Sequence, residues 1–320
     1  MEKENGNIYA AIKAETERLA QRICIYAPHD GIFSQSSKSM PELFVGRHSK
    51  ICFDNIKTIY SPCLLVAAQG KKELAIGQEV YQLGKSCMIM LPVLLPGEFR
   101  LVRASLQEPF LCVGLNLNPQ KISELLLKIY PHGLTSARQQ NNYVADADFD
   151  IINALNRLLA CFPNSGDTQS IAPLIIEEVL IRALRGPLGI HIMETGFADS
   201  NVVKVIAWIR ENFARHMKVS DLADMIHMSE ASFYNHFKSV ASMSPLQYQK
   251  ALRLHEARRL MLARSIGAAE ACYVVGYASE TQFSRDYSRF FGNPPKRDIA
   301  ALRQYSDFIY DHGDKAHSED

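Results

Sequence analysis

Two copies of one short pattern carry the polar side chains that are best placed for chemistry. The first copy reads Ser229-Glu-Ala-Ser-Phe-Tyr-Asn-His-Phe-Lys, and the second, fifty residues later, reads Ser279-Glu-Thr-Gln-Phe-Ser-Arg-Asp-Tyr-Ser. In each copy the serine can cap a helix N-terminus, and aromatic residues four positions apart predict a buried seam. A helical bundle would explain the seam. It would not explain why the opposite, polar face differs between the copies.

Each copy follows a short apolar helix and a tight turn. The first such helix lies within residues 219–228, and the second begins at Ala268 and reaches a turn at Gly276. A short helix, a turn and a capped second helix form a helix-turn-helix, which places its second helix in the major groove of DNA. Two such units at a fixed spacing predict a DNA-binding domain.

The segment between the two units predicts a stiff connector. From Pro245 to about Ala263 the apolar residues follow one helical period, and Arg253, Arg258 and Arg259 lie along it. A helix of this length, at about 1.5 Å per residue, is roughly 29 Å long. Successive major-groove faces of B-DNA are roughly 34 Å apart. The connector is therefore expected to hold both second helices in adjacent grooves.

The net charge changes along the chain. Residues 1–200 have a net charge of −1, and residues 201–303 have a net charge of +6, with 15 Lys and Arg against 9 Asp and Glu. Residues 304–320 have a net charge of −4 and predict a disordered acidic tail. A modestly basic segment favours a polyanionic partner, because neutralising phosphates supplies most of the sequence-independent affinity for DNA.

The first half of the chain has a different pattern. Residues 8–24 have helical spacing, and from about 43 to 117 short apolar runs alternate with glycine and proline. Several short strands at this spacing predict an antiparallel sandwich or barrel. Helical periods return in residues 122–129, 149–159 and 171–184, and helix breakers in 186–201 predict a domain boundary. The third of these helices is apolar on more than one side, which indicates a buried or shared helix.

The sequence lacks the motifs of common enzymes. It contains no G-x-G-x-x-G, no G-x-x-x-x-G-K-S/T, no G-x-S-x-G and no H-x-x-x-H. A metal-dependent cupin would need a clustered H-x-H with a downstream glutamate, whereas His29 and His48 stand alone. We therefore expect no catalytic residue, no cofactor and no bound metal.

Two further features of the sequence bear on metal binding and on thiol chemistry. Residues 146–150 start like a calcium loop, but Ile151 and Arg157 replace the required Gly and Glu, so these acids are expected to stabilise the N-terminus of the following helix. The seven scattered cysteines predict free thiols. Cys52 lies near basic residues, so sensing of an oxidant or electrophile by Cys52 is an alternative hypothesis.

Residues 202–303 closely resemble the DNA-binding domain of the AraC/XylS family of bacterial regulators. The resemblance rests on the repeated patterns and on Met243-Ser-Pro-Leu-Gln-Tyr, Val275-Gly-Tyr, Gln282-Phe-Ser-Arg and Phe290-Phe-Gly-Asn-Pro-Pro. The N-terminal part resembles the cupin-like arm of one subgroup, at Pro28-His-Asp-Gly, Leu95-Pro-Gly and Ala104-Ser-Leu-Gln-Glu-Pro-Phe. The resemblance spans about residues 20–303.

The resemblance implies an α+β protein. Its expected parts are an N-terminal cupin-like antiparallel β-barrel with flanking helices and a C-terminal all-α domain with two helix-turn-helix units. The expected domains are an effector-binding and dimerisation domain in residues 1–190, a linker in 191–201, a double helix-turn-helix domain in 202–303 and the acidic tail in 304–320.

The resemblance also implies a function, namely a sequence-specific transcription regulator, usually an activator. Implied partners are double-stranded promoter DNA, RNA polymerase, a small-molecule effector and a second copy of the chain. Arg285 is expected to grip guanine O6 and N7, Asn235 to read adenine, and Glu280 either to accept from cytosine or to pair with a cation. The residues expected to contact DNA are Ala231, Tyr234, Asn235 and Lys238 in the first helix, and Glu280, Thr281, Ser284, Arg285 and Arg289 in the second.

Two alternatives from other classes stay open. One is an architectural or interaction protein whose first domain binds another protein, and the other is a cupin-type enzyme fused to a DNA-binding unit. An enclosed pocket with convergent polar groups would favour an effector, and a metal with three side-chain ligands would favour the enzyme. No apolar run approaches the roughly 18 residues of a membrane span, and the N-terminus lacks the signal-peptide pattern. A cytoplasmic location without membrane contact is therefore expected.

Overall fold

The structure, a computed structural model, describes residues 2–34, 40, 42–51, 55–133, 143–194, 197 and 201–304. Cys52, about half of the predicted linker and all but the first residue of the predicted acidic tail lie outside the described residues. The hypotheses about these segments therefore stay predictions.

The described part of the N-terminal domain contains two antiparallel sheets. The strands are β1 (Gly31–Ser34), β2 (Leu43–His48), β3 (Ile56–Tyr60), β4 (Cys63–Gln69), β5 (Lys71–Ile76), β6 (Glu79–Gly84), β7 (Cys87–Leu91), β8 (Leu95–Arg103), β9 (Phe110–Asn116) and β10 (Val144–Asp146). Their order is β1-β2-β9-β4-β7-β10 in one sheet and β3-β8-β5-β6 in the other. Because these described sheets share no strand, they form an open cupin-like sandwich and not a closed barrel.

Burial along the strands shows which sheet faces are covered. In β5 every second residue is buried, from Lys72 to Ile76, whereas β9 is buried at every position from Phe110 to Leu115. The six-stranded sheet is covered on both faces, because helix α1 (Glu2–Tyr26) packs against β2, β4 and β9. A sheet covered on both faces accounts for the continuous apolar runs of the sequence.

The described N-terminal part contains five more helices: α2 (Pro119–Ile129), which precedes β10, and α3 (Phe149–Ala160), α4 (Ser165–Ser170), α5 (Ala172–Arg185) and α6 (Pro187–Glu194), which follow it. The Asp148 carboxylate accepts from the Ile151 backbone N–H at 2.8 Å and so caps α3. Asp150, in the first turn of α3, pairs with Arg182 at 2.5 Å. The acids of the calcium-like segment therefore serve the start of a helix, as the sequence predicts.

The C-terminal domain is helical throughout its described length. Its helices are α7 (Asn201–Asn212), α8 (Val219–Asp224), α9 (Glu230–Ala241), α10 (Pro245–Ala263), α11 (Ala268–Val274), α12 (Glu280–Phe291) and α13 (Pro295–Gln304). The pairs α8–α9 and α11–α12 are the two predicted helix-turn-helix units, and α10 is the predicted connector. The α+β fold class is thus confirmed, with sheets in the first part of the chain and helices in the second.

The two domains pack directly against each other. The Tyr248 hydroxyl of α10 donates to the Leu94 carbonyl at 2.8 Å, and the Tyr143 hydroxyl donates to the Val240 carbonyl of α9 at 3.3 Å. The buried apolar core of the sheets runs on through the first helix-turn-helix unit to Leu252, and the second unit has a separate core. The first unit therefore shares its interior with the N-terminal domain.

Gly276 closes the turn between α11 and α12 with a backbone conformation that side chains rarely adopt. Its φ is +85°, and a Cβ at this position would lie 1.9 Å from the Ala214 carbonyl oxygen. Gly292 has a similar φ of +82°, but no atom lies within 4 Å of its Cβ position. The glycine in the turn is thus required both by the backbone angle and by the close approach of Ala214.

We predict that Gly276→Ala lowers the free energy of unfolding by about 3–5 kcal/mol, since strain and a clash with backbone act together. Gly292→Ala, which meets the strain alone, should lower it by about 1–2 kcal/mol. Urea unfolding of both variants measures the difference. Equal losses would show that the approach of Ala214 adds nothing.

Candidate nucleic-acid interface

The first predicted recognition helix is α9. The Ser229 side chain accepts from the Ser232 backbone N–H at 3.3 Å, which confirms the predicted N-cap. Phe233 and Phe237 are fully buried, with ring centroids 5.6 Å apart. Because this apolar seam faces the core, the opposite side of α9 is turned outward.

The second predicted recognition helix, α12, is built in the same way. The Ser279 side chain accepts from the Gln282 backbone N–H at 3.4 Å. Phe283 and Tyr287 form the buried seam, with ring centroids 5.6 Å apart. The two copies of the sequence pattern therefore fold into two copies of one local structure.

All the residues expected to contact DNA are exposed. They are Ala231, Tyr234, Asn235 and Lys238 on α9, and Glu280, Thr281, Ser284, Arg285 and Arg289 on α12. Lys238, Arg285 and Arg289 form no ion pair with any described residue. Each helix thus presents a polar surface with basic side chains that are available to an external anion.

One of these residues is already engaged within the chain. The Tyr273 hydroxyl of α11 donates to the Glu280 carboxylate at 3.2 Å, and this hydrogen bond raises the pKa of Tyr273. The sequence predicts that Glu280 either accepts from cytosine or pairs with a neighbouring cation. In the structure its partner is instead the Tyr273 hydroxyl. A base contact by Glu280 would compete with this hydrogen bond.

A buried ion pair fixes α12 against the connector. The Arg258 guanidinium donates to both carboxylate oxygens of Asp298, at 2.8 and 2.7 Å. The Tyr287 hydroxyl donates to the same carboxylate at 2.7 Å, and the guanidinium lies 4.1 Å from the centre of the Phe291 ring. Because α10, α12 and α13 meet at this group, the orientation of the outward face of α12 depends on it.

Arg253 has a second structural role on the connector. Its guanidinium donates to the Phe213, Ala214 and Arg215 carbonyls at 2.7, 3.2 and 3.0 Å. Gln249 donates to the first and third of these carbonyls at 2.8 and 2.7 Å. These donors satisfy backbone carbonyls just beyond the end of α7. Carbonyls at the end of a helix lack partners within the helix, so side chains from elsewhere can serve as donors.

The arginines of the connector are the residues whose roles the sequence does not reveal. The sequence places Arg253, Arg258 and Arg259 on one helical rod, but it does not show that their partners are backbone carbonyls, Asp298 and Glu256. One feature of the sequence could have indicated a buried partner for Arg258. This residue falls between the apolar residues Leu254 and Met261 on a helix whose apolar positions must be buried. An arginine at an apolar position of a buried helix indicates a buried partner.

The remaining polar features of the described chain form no metal cluster. Among the residues that the structure describes, no group of three or more His, Cys, Asp or Glu side chains could hold a metal ion. His29 lies against Asp30 and Phe33 near the surface. His48 is buried, and burial together with Lys72 lowers the pKa of His48 to about 4.

Residues 39–191 match the family model of the AraC-type transcriptional regulator N-terminus. Residues 222–300 match the model of a helix-turn-helix domain. The two matches lie on the two structural domains described above. Within the described residues, no helix is both long enough and apolar enough to cross a bilayer.

Two curated relatives illustrate the similarity along the chain. RhaS of Citrobacter koseri, an HTH-type transcriptional activator, is 25% identical over 150 residues, which cover 46% of this chain and 54% of that protein. The Msm operon regulatory protein of Streptococcus mutans is 22% identical over 240 residues, which cover 72% of this chain and 80% of that protein. The chain spans about half the length, or less, of most of the curated relatives that it matches.

A solved structure shares the overall fold. The crystal structure of ToxT from Vibrio cholerae O395, bound to (E)-4-(8-methylnaphthalen-1-yl)but-3-enoic acid, superposes with a TM-score of 0.51 at 15% identity. The superposition covers 82% of this chain and 98% of the ToxT chain. This likeness extends over both domains, and at this identity it concerns the fold alone.

We predict that Asp298→Ala lowers the free energy of unfolding by about 3–5 kcal/mol, because it leaves the buried Arg258 guanidinium without a counter-charge. Lys250→Ala is the matched control, since it removes an ion pair with Asp286 whose lysine is exposed, and it should cost less than about 1 kcal/mol. Urea unfolding measures both. A loss for Asp298→Ala as small as that of the control would contradict a structural role for this ion pair.

Proposed function

Because the chain belongs to the AraC/XylS family of transcriptional regulators, we propose that it binds promoter DNA sequence-specifically and regulates transcription there, as an activator. The observation that carries this proposal is the exposed polar face on each of two structurally equivalent helices, α9 and α12, above a buried aromatic seam. A helical bundle built only for packing would account for the seams but not for the different polar residues that the two faces carry.

The two recognition helices are proposed to enter successive major grooves. The connector α10 runs for 19 residues, which corresponds to roughly 29 Å at about 1.5 Å per residue. Its N-terminus is fixed by a capping box in which Ser244 and Gln247 satisfy each other's backbone N–H groups. A rod of this length and rigidity supports a fixed spacing close to one turn of the duplex.

Within each helix some exposed residues are proposed to contact bases and others to contact phosphates. Arg285 and Asn235 would read bases, since a guanidinium matches guanine and an amide matches adenine. Thr281, Ser284 and Tyr234 would add contacts to base edges. Lys238 and Arg289 lie near the helix C-termini and would bind phosphates, which contributes affinity without sequence preference. Ala231 offers only a methyl group, so reading by α9 depends on fewer side chains.

Genome-wide mapping of bound DNA with the full chain tests this function. The expected result is enrichment of a small set of promoters that share an asymmetric motif with two parts about one duplex turn apart. Uniform, sequence-independent occupancy would instead favour an architectural protein. The second alternative, a cupin-type enzyme fused to a DNA-binding unit, would require a metal centre for which the described residues supply no cluster.

We predict that Arg285→Ala weakens binding to the preferred site by about 1–3 kcal/mol and relaxes preference at one base position. Arg289→Ala is the control, because loss of a phosphate contact should weaken all sequences about equally and lower the salt dependence. Binding to randomised duplexes at two salt concentrations separates these effects. An Arg285→Ala variant with unchanged base preference would refute the assignment.

The N-terminal domain is proposed to sense a small molecule and to form a homodimer, while the C-terminal domain contacts RNA polymerase at the promoter in the cytoplasm. The bound organic acid in the ToxT structure supports a small-molecule effector in a protein of this fold. For dimerisation, the start of α5 offers a surface in which Leu174 is 65% exposed and Ile171, the residue just before the helix, is 45% exposed. Ion pairs of Glu178 with Arg157 and Arg182 border this apolar surface.

We predict that Leu174→Glu shifts the chain from dimer to monomer, because a carboxylate would be buried without a partner at the interface. Leu106→Glu is the control, since Leu106 is 72% exposed and lies between β8 and β9. Sedimentation velocity over a concentration series measures both. If the Leu174→Glu variant keeps the oligomeric state of the control, α5 is not the dimer surface.

A further inference from the structure

The two acidic side chains of the second recognition helix are both hydrogen-bonded to tyrosines. Helix α12 carries Glu280 in its first turn and Asp286 six residues later. The Tyr273 hydroxyl donates to the Glu280 carboxylate at 3.2 Å, and the Tyr277 hydroxyl donates to the Asp286 carboxylate at 3.3 Å. Both tyrosines precede α12 in the same helix-turn-helix unit, so the first half of the unit holds each acid of the second.

The surroundings of these two acids differ. Asp286 is half-buried and also forms an ion pair with Lys250 of the connector at 3.0 Å, which fixes it against α10. Glu280 is exposed, and Tyr273 is the only described residue whose side chain donates to it. Tyr273 is itself 58% exposed on α11. The Tyr273–Glu280 pair therefore borders the outward face of α12, whereas Asp286 belongs to the side that packs on the connector.

The first recognition helix shows that this hydrogen bond does not follow from the repeated pattern. Glu230 stands directly after the capping serine of α9, as Glu280 does on α12. Glu230 is exposed, and no described side chain donates to its carboxylate. Helix α8, which precedes α9, contains no tyrosine. The restraint on Glu280 is therefore a property of the second unit alone, and Tyr273 supplies it.

The hydrogen bond determines what the Glu280 carboxylate can offer to DNA. A carboxylate only accepts, so in the major groove it matches the N4 amino group of cytosine. Tyr273 holds the carboxylate toward α11, and a base contact requires the side chain to turn away and lose this bond. A hydrogen bond to a charged group and a good base contact are of similar strength. The exchange therefore gives Glu280 little net preference for cytosine while Tyr273 is present.

Exposure of the pair in the free protein does not remove this effect at a DNA interface. When a duplex covers the start of α12, water is displaced, and a hydrogen bond to a carboxylate becomes stronger in the lower dielectric. A carboxylate that lost its water and had no donor would be unfavourable. Because Tyr273 remains its donor, Glu280 is satisfied opposite any base. The pair thus makes this position tolerant of sequence.

We propose that Tyr273 is a positioning residue that sets the specificity of α12, because it holds the Glu280 carboxylate against α11 and keeps it from selecting cytosine. Helix α12 then reads bases through Arg285 and its neighbours, and the base opposite Glu280 stays unselected. The inference rests on the proposed DNA-binding function and specifies which side chain of the second recognition helix is withheld from reading.

Binding of the full chain to duplexes randomised within its preferred site tests this role. Tyr273→Phe removes only a hydroxyl, and it should create a preference of about 5-fold or more for cytosine at one position that the unaltered chain does not select. The preference that depends on Arg285 should stay. Tyr277→Phe is the matched control, since Asp286 keeps Lys250 as its partner and its variant should select no new base. Urea unfolding checks that both variants are folded.

The double variant Tyr273→Phe/Glu280→Ala separates this role from a change in packing. It should lack the new cytosine preference, because only the carboxylate supplies it. The proposal is overturned if Tyr273→Phe selects no new base, if it loses an existing preference, or if the double variant keeps the new one.

The same measurements distinguish this role from the function on which it rests. An unaltered chain without any base preference refutes the proposed regulator and this role with it. An unaltered chain that shows the Arg285-dependent preference, together with a Tyr273→Phe variant that reads the same bases, refutes the role of Tyr273 alone.

Discussion

The buried pair of Arg258 and Asp298 determines how the helices of the second helix-turn-helix unit are arranged. It joins the connector α10 to α13, and Tyr287 of α12 donates to the same carboxylate. The guanidinium fork matches one orientation of the carboxylate, so three helices share one relative position. Tyr287 is also part of the aromatic seam of α12. The outward face of this helix is therefore set by a polar contact on its inward side.

The same arginine links the second helix-turn-helix unit to the sheets. Arg258 donates to the carbonyl of Lys57 on β3, and the Lys57 ammonium lies over the Phe290 ring. The first unit is held by different residues, since Tyr143 contacts Val240 and Tyr248 contacts Leu94. The N-terminal domain thus touches both units at once, and a change in the sheets has a direct physical route to each.

Many buried polar groups of the described chain have partners within it, although several buried atoms, among them the Asn156 Oδ1 and the Tyr60 hydroxyl, have none. Asn156 donates to the backbone and to the carboxylate of Glu15, at 2.9 and 2.8 Å. Arg258 has a carboxylate, and Arg253 has three carbonyls. Lys72 has aromatic rings but no anion among the described residues. Since burial without compensation is costly, the pKa of Lys72 is lowered.

The sequence alone determined the local structure and the family of this protein. Serine caps, aromatic pairs four residues apart and the uninterrupted period of α10 are short-range signals, because each depends on neighbours within one or two helical turns. They predicted both helix-turn-helix units, the bounds of the connector and the outward direction of residues such as Asn235 and Arg285. Short apolar runs separated by glycine and proline predicted the antiparallel strands, although not whether the sheets would close.

Only the tertiary structure decided which polar groups meet across the chain. Arg258 and Asp298 are forty residues apart, and Lys72 and Tyr60 come from different strands, so no local pattern joins either pair. Whether a lysine or an arginine on a periodic element faces water, a carboxylate or aromatic rings depends on what packs opposite. That is a property of long-range packing, and the chain acquires it only when the sheets and helices come together.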